Sequence, residues 1–182
     1  MNVYRTIWLA PKRTFEEFLA SDGSQALFVL PILTMGLIFG LDLIPKLEPL
    51  VGEGAHLLAL TLTLPLGIAT AFLILGLITP GLIRLFGRIW RGPATMRQLV
   101  NVCSISFIPF GLTLINQLTL FAVGQEPTLD NVNGGIIYTL SIWCFGLLVI
   151  GVSKVQRFSY GMALLNILIS DLPLLIIGLL RN

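Results

Sequence analysis

The sequence contains few charged residues, since Asp, Glu, Lys and Arg together make up 11% of its 182 residues, against about a quarter in soluble domains. Hydrophobic residues make up 55%, and the mean hydropathy is +0.93. Such a composition cannot cover a water-facing surface. The apolar residues are spread along nearly the whole chain, so residues 1–182 are predicted to form one all-α integral membrane domain.

Residues suited to catalysis or metal binding are also scarce. His56 is the only histidine, and the two cysteines, Cys103 and Cys144, lie in apolar stretches without a CxxC spacing, which argues against a zinc site or a disulfide framework. The serines lack a GxSxG-like turn. A net charge of +2 is too small to indicate nucleic-acid binding. We therefore expect no enzyme activity, no cofactor and no nucleic-acid partner.

Five apolar stretches are long enough to cross a bilayer, which requires about 20 residues each. Pro80 and Gly81 predict the end of the buried part of the second stretch, with residues 82–90 continuing along the membrane interface. The predicted fold is thus a polytopic membrane protein whose transmembrane helices cover about residues 26–44, 56–80, 99–123, 134–153 and 161–180.

The charges of the connecting segments predict the orientation of these spans. Nine of the 11 basic residues fall in the N-terminal segment, the second-to-third connection or the fourth-to-fifth connection: Arg5, Lys12, Arg13, Arg84, Arg88, Arg91, Arg97, Lys154 and Arg157. The other two connections carry mainly acidic residues. Because short connections rich in Lys and Arg stay in the cytoplasm, the N-terminus is predicted inside the cell and the C-terminus outside.

The segment before the first span is predicted to form a short helix along the cytoplasmic interface. Pro11 suits the first turn of a helix, and Thr14 with Glu17 has the spacing of a capping box. Trp8, Phe15, Phe18 and Leu19 supply apolar contacts. A disordered tail is the alternative.

Prolines and glycines within the spans have two interpretations each. Pro31, Pro65, Pro109 and Pro173 predict local kinks, which would either surround a binding site or be packing irregularities that membrane helices tolerate. Gly36 and Gly40 form a GxxxG pair in the first span, and this pattern suits either dimerisation or close packing within the chain.

Polar residues at membrane depth form the candidate intramembrane site. Asp171 lies near the middle of the last span, where a carboxylate costs about 3 kcal/mol to insert. It would either bind a proton or cation, or be a structural carboxyl bonded to Asn116 or Gln117. Asp42 and His56 lie near the outer ends of the first two spans, and with the two amides they would form either a polar vestibule or a solvated cluster at the helix ends.

Two segments resemble the Yip1 domain family. Residues 7–15, IWLAPKRTF, are similar to a W-x-x-P-x-x-T-F sequence that opens bacterial members, and residues 151–163, GVSKVQRFSYGMA, resemble the connection between the fourth and fifth spans. The resemblance implies five helices and a cytoplasmic N-terminus. Eukaryotic members of the family are associated with Rab GTPases and membrane traffic, partly through a longer N-terminal region that carries a DLYGP-like motif. Almost nothing precedes Ile7 and no such motif occurs. We therefore expect a prokaryotic plasma-membrane protein and do not expect a Rab-type partner.

These observations predict a non-enzymatic membrane protein that acts through membrane lipids, a protein partner or self-association, as a scaffold or organiser of the membrane. Its expected contact surface consists of Trp8, Pro11, Phe15, Arg157 and Phe158. The alternative is a proton- or cation-coupled transporter or channel for small solutes or ions that uses Asp171.

Overall fold

The computed structural model describes residues 3–20, 28–52 and 56–180 of the chain. Every regular element within these residues is helical, which confirms the predicted all-α class. In chain order the helices are α1 (Val3–Leu9), α2 (Pro11–Ala20), α3 (Val29–Val51), α4 (His56–Ala71), α5 (Thr79–Ile89), α6 (Met96–Ser106), α7 (Leu112–Ala122), α8 (Gly134–Gln156) and α9 (Tyr160–Leu180). A π-helical segment, Phe72–Ile78, joins α4 to α5.

Three of the described helices are long and apolar enough to cross a membrane: Val29–Val51, the continuous helix Leu57–Ile89 and Gly134–Gln156. A fourth span results if Met96–Ser106 and Pro109–Ala122, which meet at 42°, are counted as one bent helix. The described part of α9 adds a shorter apolar helix, Tyr160–Pro173. The structure therefore supports three to four spans by length and composition, and the fifth span stays a prediction.

Pro80 does not interrupt the helix of the second stretch, while the predicted change at this place from a buried part to an interfacial continuation (residues 82–90) stays a prediction. The helix continues through Pro80 and Gly81 to Ile89. The π-helical segment directly before Pro80 explains how, because the N–H of Thr79 bonds to the carbonyl of Ile74, five residues earlier. A wider turn at this place relieves the clash between a proline ring and the carbonyl four residues before it.

The predicted kink at Pro109 is present. α6 ends at Ser106, a 3-10 turn follows at Pro109–Gly111, and α7 begins at Leu112. The hydroxyl of Ser106 donates to the carbonyl of Val102 (2.8 Å) and so takes up a backbone acceptor near the break. Pro65 and Pro173, by contrast, lie inside continuous helices.

Three glycines bring α3 and α4 into direct backbone contact. A Cβ built on Gly36 would lie 2.5 Å from the Cα of Ile68, and one on Gly67 would lie 2.3 Å from both the carbonyl oxygen of Gly36 and the nitrogen of Gly40. No side chain fits at these positions. Of the two interpretations of the GxxxG pair, the structure shows packing within the chain.

The N-terminal segment is helical, as predicted, but it forms two helices that meet at Ala10. Pro11 opens α2, as expected of proline in a first turn. Thr14 is not an N-cap, because it lies inside the helix and its hydroxyl donates to the carbonyl of Ala10 (3.0 Å). Glu17 pairs with Arg13 instead of capping the helix.

Two ends of the bundle differ in charge. The basic end carries α1, α2, the α5–α6 connection (90–95) and the α8–α9 connection (157–159), where most Lys and Arg residues lie. The acidic end carries the C-terminal half of α3 and the α7–α8 connection (123–133), with Asp42, Glu126 and Asp130. The largest buried apolar cluster includes residues of α1, α2, α6 and α8, while leucines of α4 face outwards, as lipid-facing residues do.

Candidate contact site at the basic end of the bundle

The helix pair α1–α2 is attached to the bundle by two fully buried side chains, Ile7 and Phe15, which belong to the main apolar cluster. Gly151 of α8 leaves room for the aromatic ring, since a Cβ on that glycine would lie 3.0 Å from Cε1 of Phe15 and 2.5 Å from Cγ1 of Val102. Close packing around an aromatic side chain of this size is costly to disturb. The pair is therefore a fixed part of the fold.

Charged side chains add contacts between α2 and the bundle at the surface of the domain. The ammonium group of Lys154 in α8 donates to the carboxylate of Glu16 in α2, and this hydrogen bond holds the pKa of Glu16 below its ordinary value. The ammonium nitrogen of Lys12 lies 5.4 Å from the ring centroid of Tyr160, within the range of a cation–π interaction. Both contacts are exposed, so they orient α2 more than they stabilise it.

The five residues predicted as a contact surface divide between surface and core. Trp8 is 37% exposed, Arg157 is exposed and Pro11 is partly buried. Phe15 is fully buried, and Phe158 packs partly buried against the main cluster, so these two support the surface from below. Leu9, which the sequence interpretation did not include, is 78% exposed beside Trp8.

A buried polar network beneath this surface was not predicted. Oε1 of Gln156 accepts from the backbone N–H of Ala94 (3.3 Å), and its Nε2 donates to the carbonyl of Ile83 (3.4 Å). Nδ2 of Asn166 donates to the same carbonyl (3.2 Å). Gly87 makes the room, because a Cβ there would lie 2.2 Å from Nε2 of Gln156. The network ties α5, α8 and α9 to the connection before α6.

The helices α5 and α8 end in matching turns at this network. The N–H of Gly92 bonds to the carbonyl of Gly87 (2.9 Å), and the N–H of Phe158 bonds to the carbonyl of Ser153 (3.0 Å). In each turn the preceding residue, Arg91 or Arg157, has a positive φ. In each turn the N–H of the residue after this arginine bonds to the carbonyl five residues earlier, which is the Schellman pattern.

At the acidic end, two of the predicted polar residues hold the α7–α8 connection. Oδ1 of Asp42 accepts from the backbone N–H of Leu129 (2.8 Å), and its Oδ2 accepts from Lys46 (2.7 Å). Nε2 of Gln117 donates to the carbonyls of Pro127 (2.8 Å) and Ile38 (3.3 Å), and its side chain is fully buried. These two residues therefore position a loop.

The other candidates of the intramembrane site lie on α4, α7 and α9. Asn116 is partly buried on α7, and the side chain of His56 lies outside the described residues. Asp171 is partly buried on α9, a helix that packs against α5 and α8, whereas Asp42 lies on α3, which packs against α4 and α7. Asp171 thus lies on a helix whose main packing partners differ from those of the helix that carries Asp42.

Comparison with known proteins gives one match. The model of the Yip1 domain matches residues 5–181. The chain belongs to the Yip1 domain family. No curated protein and no solved structure matches it. Among the described residues of this Yip1 domain, no group of three or more His, Cys, Asp and Glu could hold a metal ion.

The two segments that resemble the Yip1 family touch each other in the structure. Phe15 of the first packs on Gly151 of the second, Glu16 beside the first segment accepts from Lys154, and Lys12 lies over the ring of Tyr160. Segments 136 or more residues apart in the chain therefore form one unit of this Yip1 domain.

Proposed function

We propose that this Yip1 domain protein is a five-span protein of the plasma membrane that catalyses no reaction and organises the membrane through contacts with proteins or lipids at its basic end. In this arrangement the basic end faces the cytoplasm, the N-terminus lies inside and the C-terminus outside. α6 and α7 count as one bent span, and α9 is the fifth.

The distribution of charge supports this orientation. Arg88, Arg91 and Arg157 lie exposed at the basic end together with α1 and α2, whereas the connection that is held by Asp42 and Gln117 has no Lys or Arg. A chain threaded through a bilayer keeps its Lys- and Arg-rich short connections inside. Five spans satisfy this rule at every connection.

The observation that carries the proposed contact role is the division of α1–α2 into a buried and an exposed side. Ile7 and Phe15 fix the pair on the bundle, while Trp8 and Leu9 point away from the core at 37% and 78% exposure. Neighbouring exposed apolar residues on a rigid support, surrounded by basic residues, are typical of a surface that binds a partner or the membrane interface.

A photo-crosslinking amino acid in place of Trp8, used in intact membranes, tests this role. The proposal predicts discrete adducts, either to a protein, to a second copy or to lipid. The same probe in place of Leu50, which is 80% exposed at the end of α3, is the matched control at the opposite end of the bundle.

A second variant links the adducts to the docked helix pair. Gly151→Leu would occupy the space of the Phe15 ring and should displace α1–α2, so the adducts at position 8 should disappear. Identical adduct patterns at positions 8 and 50, or adducts at position 8 that persist in Gly151→Leu, would contradict the proposed contact surface.

A further inference from the structure

The two non-glycine residues with positive φ in the described part of the chain are both arginines at helix ends. Arg91 follows α5 with φ 60°, and Arg157 follows α8 with φ 55°. Glycine is the usual residue at this position of a Schellman turn, because a Cβ crowds the left-handed backbone. An unfavourable backbone conformation held twice by the same residue type points to a use for the arginine side chain.

The two turns lie against each other. A Cβ built on Gly92 would lie 2.0 Å from Oε1 of Gln156 and 2.9 Å from Cζ of Phe158. Arg91 directly precedes the first of these residues in the chain, and Arg157 lies between the other two. Both arginines are exposed. The packing of the turns therefore places two guanidinium-bearing residues beside one contact.

One more positive charge and an apolar surface lie next to the two turns. Arg88 lies one helical turn before Arg91 and is exposed, and Leu85 and Ile89 on the adjacent side of α5 are 60% and 68% exposed. A strip of arginines beside exposed aliphatic side chains matches a molecule that has an anionic head and an apolar tail.

The carboxylates described on α2 do not neutralise these arginines. Glu16 accepts from Lys154, and Glu17 is paired with Arg13. The arginine fork is suited to binding phosphate oxygens with two hydrogen bonds. The occupant that fits both the charge and the apolar strip is an anionic phospholipid.

We propose that the twin turns at residues 90–92 and 157–158 bind the phosphate of an anionic phospholipid through Arg88, Arg91 and Arg157, with its acyl chains against Leu85 and Ile89. The inference rests on the placement of the basic end at the membrane surface given under Proposed function, but not on the contact surface around Trp8. Failure of lipid binding would leave the crosslinking result at position 8 unaffected, and the reverse also holds.

The test uses the purified full-length protein in an uncharged detergent, titrated with dioleoyl phosphatidylglycerol and followed by native mass spectrometry. Each arginine near an anionic lipid contributes about fivefold to affinity, so the double variant Arg91→Gly, Arg157→Gly should bind about 25-fold more weakly. Its melting temperature should not fall, because glycine suits both backbone conformations. If the glycine variants fail to fold, Arg91→Asn with Arg157→Asn replaces them, since asparagine also adopts this conformation.

The matched control is Arg5→Gln, which removes one exposed positive charge from α1 and should leave binding unchanged, whereas Arg91→Gly alone should weaken it. Dioleoyl phosphatidylcholine should bind weakly to every variant, and inorganic phosphate should not displace the bound phosphatidylglycerol. Four results would overturn the proposal: unchanged binding in the double variant, an equal loss in Arg5→Gln, equal binding of the two lipids, or displacement by inorganic phosphate. A lower melting temperature with unchanged lipid binding would show that the arginines only stabilise the C-termini of the two helices.

Discussion

The ring of Phe15 lies against Gly151, a residue 136 positions further along the chain, where a Cβ on the glycine would lie only 3.0 Å from the ring and 2.5 Å from Val102. This contact joins the N-terminal helix pair to α8. It also connects the two segments through which the sequence resembles the Yip1 family, so the resemblance corresponds to one packing unit.

Phe15→Ala should therefore destabilise the whole domain. Removing a fully buried phenylalanine leaves a cavity and costs about 3 kcal/mol. Thermal unfolding in detergent measures the effect, and Leu9→Ala is the control because Leu9 is 78% exposed. Equal melting temperatures for the two variants would show that α1–α2 contributes nothing to the core.

Gly67→Val should be more harmful than any of these changes. A Cβ at this position would lie 2.3 Å from backbone atoms of Gly36 and Gly40, and backbone cannot move aside as a side chain does. We expect a loss of about 3 kcal/mol or more, with separation of α3 from α4. Gly76→Ala is the control, because its Cβ would meet Phe72 at an ordinary 3.5 Å. Similar folded yields for both variants would argue against the close α3–α4 contact.

Gln156→Leu should lower stability by about 2 kcal/mol, the cost of leaving a buried donor unpaired. The N–H of Ala94 loses its acceptor, while the carbonyl of Ile83 keeps the bond from Asn166. Chemical or thermal unfolding measures the loss, and Gln125→Leu, at an exposed position of the acidic end, provides the comparison. A neutral Gln156→Leu would mean that water satisfies Ala94.

The contact between Glu16 and Lys154 should respond to pH. Because Lys154 holds the pKa of Glu16 below its ordinary value, the stabilisation is complete above the ordinary carboxyl pKa and is lost as pH falls through the lowered one. The difference in melting temperature between wild type and Glu16→Gln should accordingly be small but present at neutral pH, and should vanish in acid. A difference in melting temperature that grew in acid would contradict the stabilising role of the contact between Glu16 and Lys154.

Asp171→Asn should leave the proposed function intact. Asp42 and Gln117 hold the α7–α8 connection, which is a structural role. Protein in liposomes should show no flux of protons, cations or small solutes that depends on Asp171. Flux that is present in wild type and lost in Asp171→Asn would favour the transport alternative instead.

The helical class followed from composition and from the lengths of the apolar stretches, and the role of Pro11 followed from local chain geometry. Other features depend on partners distant in the chain. Gln156 and Asn166 are not identified from the sequence, because their common acceptor, Ile83, lies more than 70 residues away. A glutamine at the end of an apolar span is the signal that the sequence offers.

Two local features of the structure could not be foreseen from the sequence. Proline in standard helical geometry clashes with the carbonyl four residues earlier, whereas the chain uses a π-helical segment before Pro80 and stays helical. Phe15, predicted as part of the contact surface, is fully buried beneath it. The space left by Gly151 becomes visible only once the fold is known.

The compartment of each terminus, measured with a reporter tag before Met1 and after Asn182 in separate fusions, tests the central claim most directly. Five spans with the basic end inside predict that the N-terminal tag is reached only from the cytoplasm and the C-terminal tag only from outside the cell. Both tags in the same compartment would contradict the five-span arrangement and the cytoplasmic placement of the basic end.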